Sequence, residues 1–534
     1  MSPAASARAR WPRALAWVVA APLLLPVLWL ASAFATPQPE VWPHLFEQVL
    51  PLATRNTLAL LALLAVFALV PGVGFAWASA RFEFPGRRFL DWALVLPLAL
   101  PGYVVAFVYV GLADYAGPLQ TAWRALGGSP AGFPELRSVP GAAAVLALVL
   151  YPYVFLVVRA AFLRQGSAAM DAARSLGHGP VAAFFRAVLP MARPAWVAGL
   201  SLVLLEALAD FGAVSILGVD TLATAVYKTW FGLYSLPAAA QLAFGLVGVV
   251  VLVLVLERLG RGRGRHAGPQ LVPPPRRVLR GWRGWAVALP ALAVVMLGFG
   301  VPVAQLLAWS WQSRAQLPEV GEAALNTALL AAMAAVGVLL LSLAFAGLAR
   351  RSGGDRVVRA AGFVGGLGYA VPGTVLAVGA MWLLVATEQA LPALALSSSL
   401  AGVLLALCAR FLRVGHEATE TAFQALRPSL LESARLLGAP RCQRLRLVAL
   451  PLLRPGLVAA LLLVLVEVVK ELPATLMLRP FGWDTLAVKI HGYTSEGLWA
   501  QAGWPALWLC LVGLLPVWWL VRQEERGSGS LPAR

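Results

Sequence analysis

The amino-acid sequence predicts an all-α, polytopic membrane protein of about twelve transmembrane helices, arranged as two homologous six-helix halves. Three observations predict it. Of 534 residues, 60% are hydrophobic and only 12% charged, with a mean hydropathy of +0.79, whereas a water-facing domain carries roughly 25% charged residues. Apolar runs longer than the ~18 residues needed to cross a bilayer core recur along the chain. Finally, marker residues of the first half return in the second at near-constant offsets.

The apolar runs place the first six spans near 14–35, 56–80, 89–113, 141–163, 195–217 and 237–257, and the second six near 285–310, 326–348, 360–386, 392–412, 456–478 and 498–521. The first run follows Arg8, Arg10 and Arg13, and its length favours a retained span over a cleaved signal peptide. Basic residues concentrate in 81–88, 159–193, 258–283, 350–359 and 410–454, which all fall on one side under this count, together with both termini. The opposite loops, such as 36–55, 114–140 and 479–497, hold few. The positive-inside rule then puts the N and C termini in the cytoplasm.

That distribution also explains the net charge of +18 without nucleic acid, because no continuous basic face can form across a bilayer. The cysteines Cys408, Cys442 and Cys510 lie far apart, and the five histidines show no metal-ligand spacing. Neither a disulfide framework nor a metal cluster is expected.

The repeat divides the chain into a first half, 1–257, a basic Gly/Pro/Arg tether, 258–284, and a second half, 285–534. Asn56-Thr57 opens the second span and Asn326-Thr327 the eighth. Pro101-Gly102 is matched by Pro372-Gly373, Glu206 by Glu467, and Thr221-Leu222-Ala223 by Thr485-Leu486-Ala487. Each half has an even number of spans, so the two keep the same orientation, as parallel repeats do.

The most informative segments are two basic loops, about 166–194 and 414–455. One contains MDAARSLGHGPVAAFFRAVLPMARPA from Met170; the other contains LESARLLGAPRCQRLRLVALPLLRPG from Leu431. Asp171-Ala172-Ala173, Gly177 and Leu189-Pro190 align without a gap to Glu432-Ser433-Ala434, Gly438 and Leu450-Pro451, 261 residues later. Physically this reads as a short helix ended by a glycine that takes a left-handed conformation. A second helix follows, entered through Leu-Pro, because proline is tolerated in a first turn. A helix so bracketed is a knob suited to a groove on a cytoplasmic partner.

Both copies resemble the EAA loop of binding-protein-dependent ABC importer permeases: EAA, three residues, G, nine residues, I-x-LP. Asp171 stands for the Glu, Ser433 for the first Ala, and Ala187 and Val448 for the Ile. The resemblance implies the type I importer permease fold. It also implies coupling helices that dock two ATP-binding subunits, a periplasmic binding protein that delivers cargo, and location in the bacterial inner membrane. ATP and Mg belong to the partner subunit; the chain binds no cofactor and has no P-loop, so it is not an enzyme by itself. The stretches LPLALPGYVVAFVYVGLADYAGPLQ, YAVPGTVLAVG and KELPATLMLRPFGWDTLA look like the fused permeases of ferric-iron importers. The same machine with thiamine, polyamine or phosphonate cargo is the alternative within transport, and a twelve-span secondary transporter the alternative outside it.

Ionisable groups within the spans are costly and face a polar pathway or a partner. Glu206 and Asp210 stand four apart, as do Glu467 and Glu471 with Lys470 between them, so each set is expected on one helix face. They are candidates for a cation pathway, with Pro101 and Pro372 as candidate helix kinks beside it; the competing reading places them at helix ends or pairs Lys470 with Glu467. No high-affinity metal site is expected.

Overall fold

In hydrocarbon no water can satisfy backbone N–H and C=O groups, so an apolar chain closes its hydrogen bonds within each segment and becomes helical. The structure, a computed structural model, describes residues 3–165, 168–261, 276–314, 317–353, 355–426 and 428–528. The central part of the predicted tether, 262–275, lies outside the described residues, as do 166–167 and 427 of the basic loops. Among the described residues the elements are helices, apart from a two-residue parallel pair that joins Phe82–Glu83 to Arg277–Val278.

Against the expectation of about twelve spans, nine helices among the described residues are long and apolar enough to cross a membrane, or ten counting one bent pair. The bent pair is the fifth span. Pro180–Met191 and Arg193–Ala209 meet at 71°, because Ala192 leaves helical geometry at ψ 3°. The predicted tenth span lies in Leu400–Ala425, whose Arg410, Arg413, Glu417 and Glu420 make it too polar along much of its length. The twelfth lies in the helix Gly503–Ser528, which counts as a shorter apolar helix over Gly503–Leu515.

The third and ninth spans are broken in the same way. A short helix, Arg87–Ala93 or Arg356–Gly365, runs into a 3₁₀ turn, Leu96–Ala99 or Gly366–Ala370, before the main helix begins at Gly102 or Gly373. The cause is the proline. The residue before it is pushed out of the α region, and Leu100 (ψ 129°) and Val371 (ψ 132°) are extended.

Compaction does not follow the repeat boundary. One compact unit comprises Met1–Trp42, Val226–Gly245 and Pro318–Lys489; the other comprises Pro43–Ala225, Leu246–Leu317 and Ile490–Arg534. In the first unit the N-terminal helix packs on helices from the second half of the sequence. A Cβ on Gly379 would lie 2.2 Å from the Pro26 carbonyl oxygen, so only glycine allows this approach. Trp382 Nε1 donates to Ser32 Oγ at 3.0 Å. Arg13 pairs with Asp355 at 2.7 Å, and this bond, with the Val357 amide, holds the Asp355 carboxyl below the usual range. In the second unit the seventh span, Trp282–Gln312, packs on helices from the first half. There Trp309 stacks on Phe107 with ring centroids 5.9 Å apart, and Tyr109 Oη donates to the Leu297 carbonyl at 2.6 Å.

The repeated Asn-Thr and Thr-Leu-Ala markers turn out to be two sides of one contact. Asn56 Nδ2 donates to the Asp220 carbonyl at 3.0 Å, and the Leu222 amide donates to Thr57 Oγ1 at 3.0 Å. Correspondingly, Asn326 Nδ2 donates to the Asp484 carbonyl at 3.3 Å, and the Leu486 amide to Thr327 Oγ1 at 2.8 Å. Each threonine is buried and donates back into its own helix, to Ala53 or Ala323. Each latch ties the start of a long span to the loop that follows the broken acidic helix.

Removing the threonine hydroxyl strands a buried amide. Thr57→Val and Thr327→Val are each expected to lower stability by about 1–3 kcal/mol, read as a drop in thermal unfolding temperature in detergent, while Thr→Ser at either site stays close to the parent.

Candidate functional site

The two basic loops fold alike. Ala168–Ser175 and Pro428–Leu436 are the short helices, and both end in the same pair of backbone bonds. The Gly177 amide donates to the Arg174 carbonyl at 3.0 Å and His178 to Ala173 at 3.1 Å; Gly438 donates to Arg435 at 3.0 Å and Ala439 to Ala434 at 3.1 Å. This is a Schellman closure, and it requires the left-handed φ of +85° at Gly177 and +78° at Gly438.

Ala173 and Ala434 take part in this closure. Each supplies the carbonyl that closes the helix, and Ala173 is buried while Ala434 is half-buried. Asp171, Ala172, Glu432 and Ser433 are exposed. Beyond the acids the knobs are greasy: Leu176 is 79% exposed, Leu436 89% and Leu437 87%. Bare leucines at the tip of a rigid helix are a surface that lacks its partner. Arg174 and Arg435 in the last turns complement the negative end of each helix dipole.

Leu189-Pro190 and Leu450-Pro451 do not open a helix as expected: each follows a π turn, Phe184–Val188 or Arg444–Ala449, in a helix already begun at Pro180 or Arg441, and the two copies then diverge. Leu450–Lys470 runs on unbroken, whereas the first copy bends within two residues of Pro190.

The intramembrane acids are placed differently from the sequence expectation. Glu206 lies on Arg193–Ala209, but that helix ends one residue before Asp210 (ψ 100°), so Glu206 and Asp210 do not share a helix face. Likewise Glu467 and Lys470 lie on Leu450–Lys470, and Glu471 (ψ 124°) lies just past its end. The reason is capping. Asp210 Oδ1 accepts the Ala213 amide at 2.7 Å. Glu471 accepts the Ala474 amide at 2.9 Å, and the Thr475 amide and hydroxyl at 3.0 Å each. A carboxylate that satisfies the first N–H groups of a following helix stabilises a break that hydrocarbon would otherwise penalise.

Pro101 and Pro372 are likewise not kinks within a helix; each is the N-cap of the helix that starts at the next residue. The glycine that follows is what meets the acid. A Cβ on Gly102 would lie 2.5 Å from Asp210 Oδ2, and one on Gly373 would lie 2.7 Å from Glu471 Oε1 and 2.6 Å from Arg410 Nη1. In each half, then, a carboxylate is seated against a helix N-terminus, where the dipole favours negative charge. Gly102, Gly373 and Arg410 were missed from the sequence. The duplicated Pro-Gly was the available signal for the glycines, while Arg410 has no matching charge in the first half. Its Nη1 is buried and has no hydrogen-bond partner among the described residues. No group of three or more His, Cys, Asp or Glu side chains that could hold a metal ion occurs among the described residues.

Comparison with known proteins fits the duplicated loops. The chain is 25% identical over 522 residues to the Fe(3+)-transport system permease protein FbpB 2 of Haemophilus influenzae, covering 96% of this chain and 97% of that one. It is 32% identical over 164 residues to the molybdenum transport system permease protein ModB of Escherichia coli, covering 30% of this chain and 69% of that one. It is 31% identical over 193 residues to the sulfate transport system permease protein CysT of Escherichia coli, covering 36% and 68%. Two segments, 72–265 and 339–522, match one family, described as binding-protein-dependent transport system inner membrane component. Members are multi-pass, non-catalytic permeases without bound cofactors that work with an ATPase and a binding protein. With that domain present twice over most of its length, the chain belongs to the family of binding-protein-dependent transport system inner membrane components, as a two-copy ABC importer permease.

Proposed function

We propose that this permease imports ferric iron handed over by a periplasmic binding protein. The observation that carries the reading is the continuous match to an iron(III) permease over nearly the full length of both chains. The molybdenum and sulfate permeases match about a third of this chain each. An oxyanion cargo is the second reading. It is favoured by those relatives and by Arg410, a half-buried cation whose buried Nη1 faces the same helix start as Glu471.

In this reading two copies of an ATP-binding subunit dock on the two knobs, one on Asp171–Gly177 and one on Glu432–Gly438. The knobs and both termini then face the cytoplasm, a reading that the charge asymmetry of the loops supports. The halves 1–257 and 285–534 act as the two permease repeats, and 258–284 tethers them. ATP and Mg²⁺ bind the partner subunit. The exposed leucines supply apolar docking area, and the Schellman closure keeps each helix rigid enough to transmit a push. Glu206, Asp210, Glu467, Lys470 and Glu471, with the helix starts at Pro101 and Pro372, line or shape the route taken by the cargo. The acids offer oxygen ligands to a hard cation in transit, and a route without a dedicated cage suits rapid release.

With the ATPase subunit co-reconstituted in nanodiscs, an iron-loaded binding protein is expected to stimulate ATP hydrolysis. Stimulation by a molybdate- or sulfate-loaded protein instead, with none by iron, would move the cargo to the oxyanions. Failure of any ATPase subunit to bind would remove the importer reading altogether.

Gly177→Val and Gly438→Val force a branched side chain into left-handed geometry, at a cost of about 1–2 kcal/mol. Each is expected to weaken ATPase-subunit binding about tenfold in a surface-capture assay, with Asn at the same site retaining most of it. Gly102→Ala and Gly373→Ala are expected to dislodge the adjacent carboxylate and cut transport in proteoliposomes, while ATPase-subunit binding stays at the parental level.

A further inference from the structure

The first knob carries aromatic residues that its duplicate does not repeat. Beneath Ala168–Ser175 lies a cavity of about 320 Å³, walled on one side by Trp77, Phe184 and Phe185 and edged by Arg81, Arg174 and Arg277. The three arginines come from three places in the chain. Arg81 is the last residue of the second span, Arg174 lies on the knob helix, and Arg277 sits in the short strand Arg277–Val278 near the end of the tether.

Arg81 is the anchor. It is only 8% exposed, and its Nη1 is buried with no hydrogen-bond partner among the described residues. Its guanidinium lies 5.4 Å from the centre of the Trp77 ring, and Trp77 lies 4.9 Å from Phe184. The charges acting on it are Asp171, from the knob, and Arg277. A buried guanidinium with an unmet N–H is costly, and the neighbouring arginines add to the positive field. An anion would relieve both.

We propose that this cavity binds the phosphate headgroup of an anionic membrane lipid, which ties the first knob to the end of the second span. Charge selects an anion. Position selects a lipid: the cavity opens at the end of a membrane span, where Trp and Arg characteristically meet headgroups, and basic pockets there hold anionic lipids. The aromatic wall gives the glycerol and upper acyl carbons an apolar surface that a free phosphate would leave unused. In the second knob Leu445 and Arg446 occupy the positions of Phe184 and Phe185, so the aromatic wall is missing there and the lipid regulates one docking site of the two. This assignment requires only that the chain is embedded in a membrane, and its test reads neither cargo nor ATP hydrolysis.

The full-length chain is placed in nanodiscs of mixed phosphatidylcholine and phosphatidylglycerol, released gently, and the lipids it retains are weighed by native mass spectrometry. The parent is expected to keep phosphatidylglycerol preferentially. Arg174→Gln and Arg277→Gln, both at exposed positions, are each expected to reduce that preference about fivefold, with a larger loss in the double variant. Arg186→Gln, a nearby exposed arginine outside the cavity, should leave it unchanged. A double variant that retains phosphatidylglycerol like the parent would overturn the proposal. So would retention of added inorganic phosphate without any headgroup preference, which would assign the cavity to a soluble anion.

Discussion

A helix broken inside a membrane leaves backbone groups that nothing in the lipid can satisfy, and the side chains that meet this need decide much of this molecule's architecture. Asp210 and Glu471 each end one helix and cap the next. Once a carboxylate is fixed there, the neighbouring helix start must be bare, which is why glycine follows proline at 102 and 373. The break, the cap, the Pro-Gly and the Asn-Thr latch form one linked assembly in each half. A charged group, elsewhere a liability in hydrocarbon, here serves as a structural acceptor.

Duplication makes the shared physics visible and isolates what differs. Both knobs close with the same two hydrogen bonds, and both latches use the same donor and acceptor types. The differences are equally specific. The first copy bends at Ala192 where the second runs straight. Arg410 stands beside the second carboxylate, where the first half has no matching charge, and Leu445 and Arg446 replace in the second knob the phenylalanines that wall the cavity of the first. A fused chain can let its halves drift apart in this manner, because each half always meets the same partner.

The class, the repeat and the two knobs were legible in the sequence because each rests on short-range rules: length of apolar run and glycine at a helix end. Gly177 and Gly438 fold as their spacing indicated. The acids were misjudged because a four-residue interval implies one face only if the helix continues, and the break lies at position 210 in one half and 471 in the other. What ends those helices is a cap formed with residues downstream and a tight approach by a glycine more than a hundred residues upstream or nearly so. Arg81 and Arg277 could not be linked from sequence either, since their meeting depends on a parallel two-residue pairing across the tether.

The exchange of first helices has a consequence for synthesis. The helix Pro3–Trp29 leaves the ribosome long before the helices it packs on, which begin at Arg356. At a translation rate of roughly 5–20 residues per second it waits from about a quarter of a minute to a minute in the lipid before its partners exist. During that interval it must persist as an isolated span, held by its own apolar length and by the arginines at its N-terminal end. Neither compact unit can be finished from the first half alone, so a chain interrupted midway has no completed unit to leave behind in the membrane.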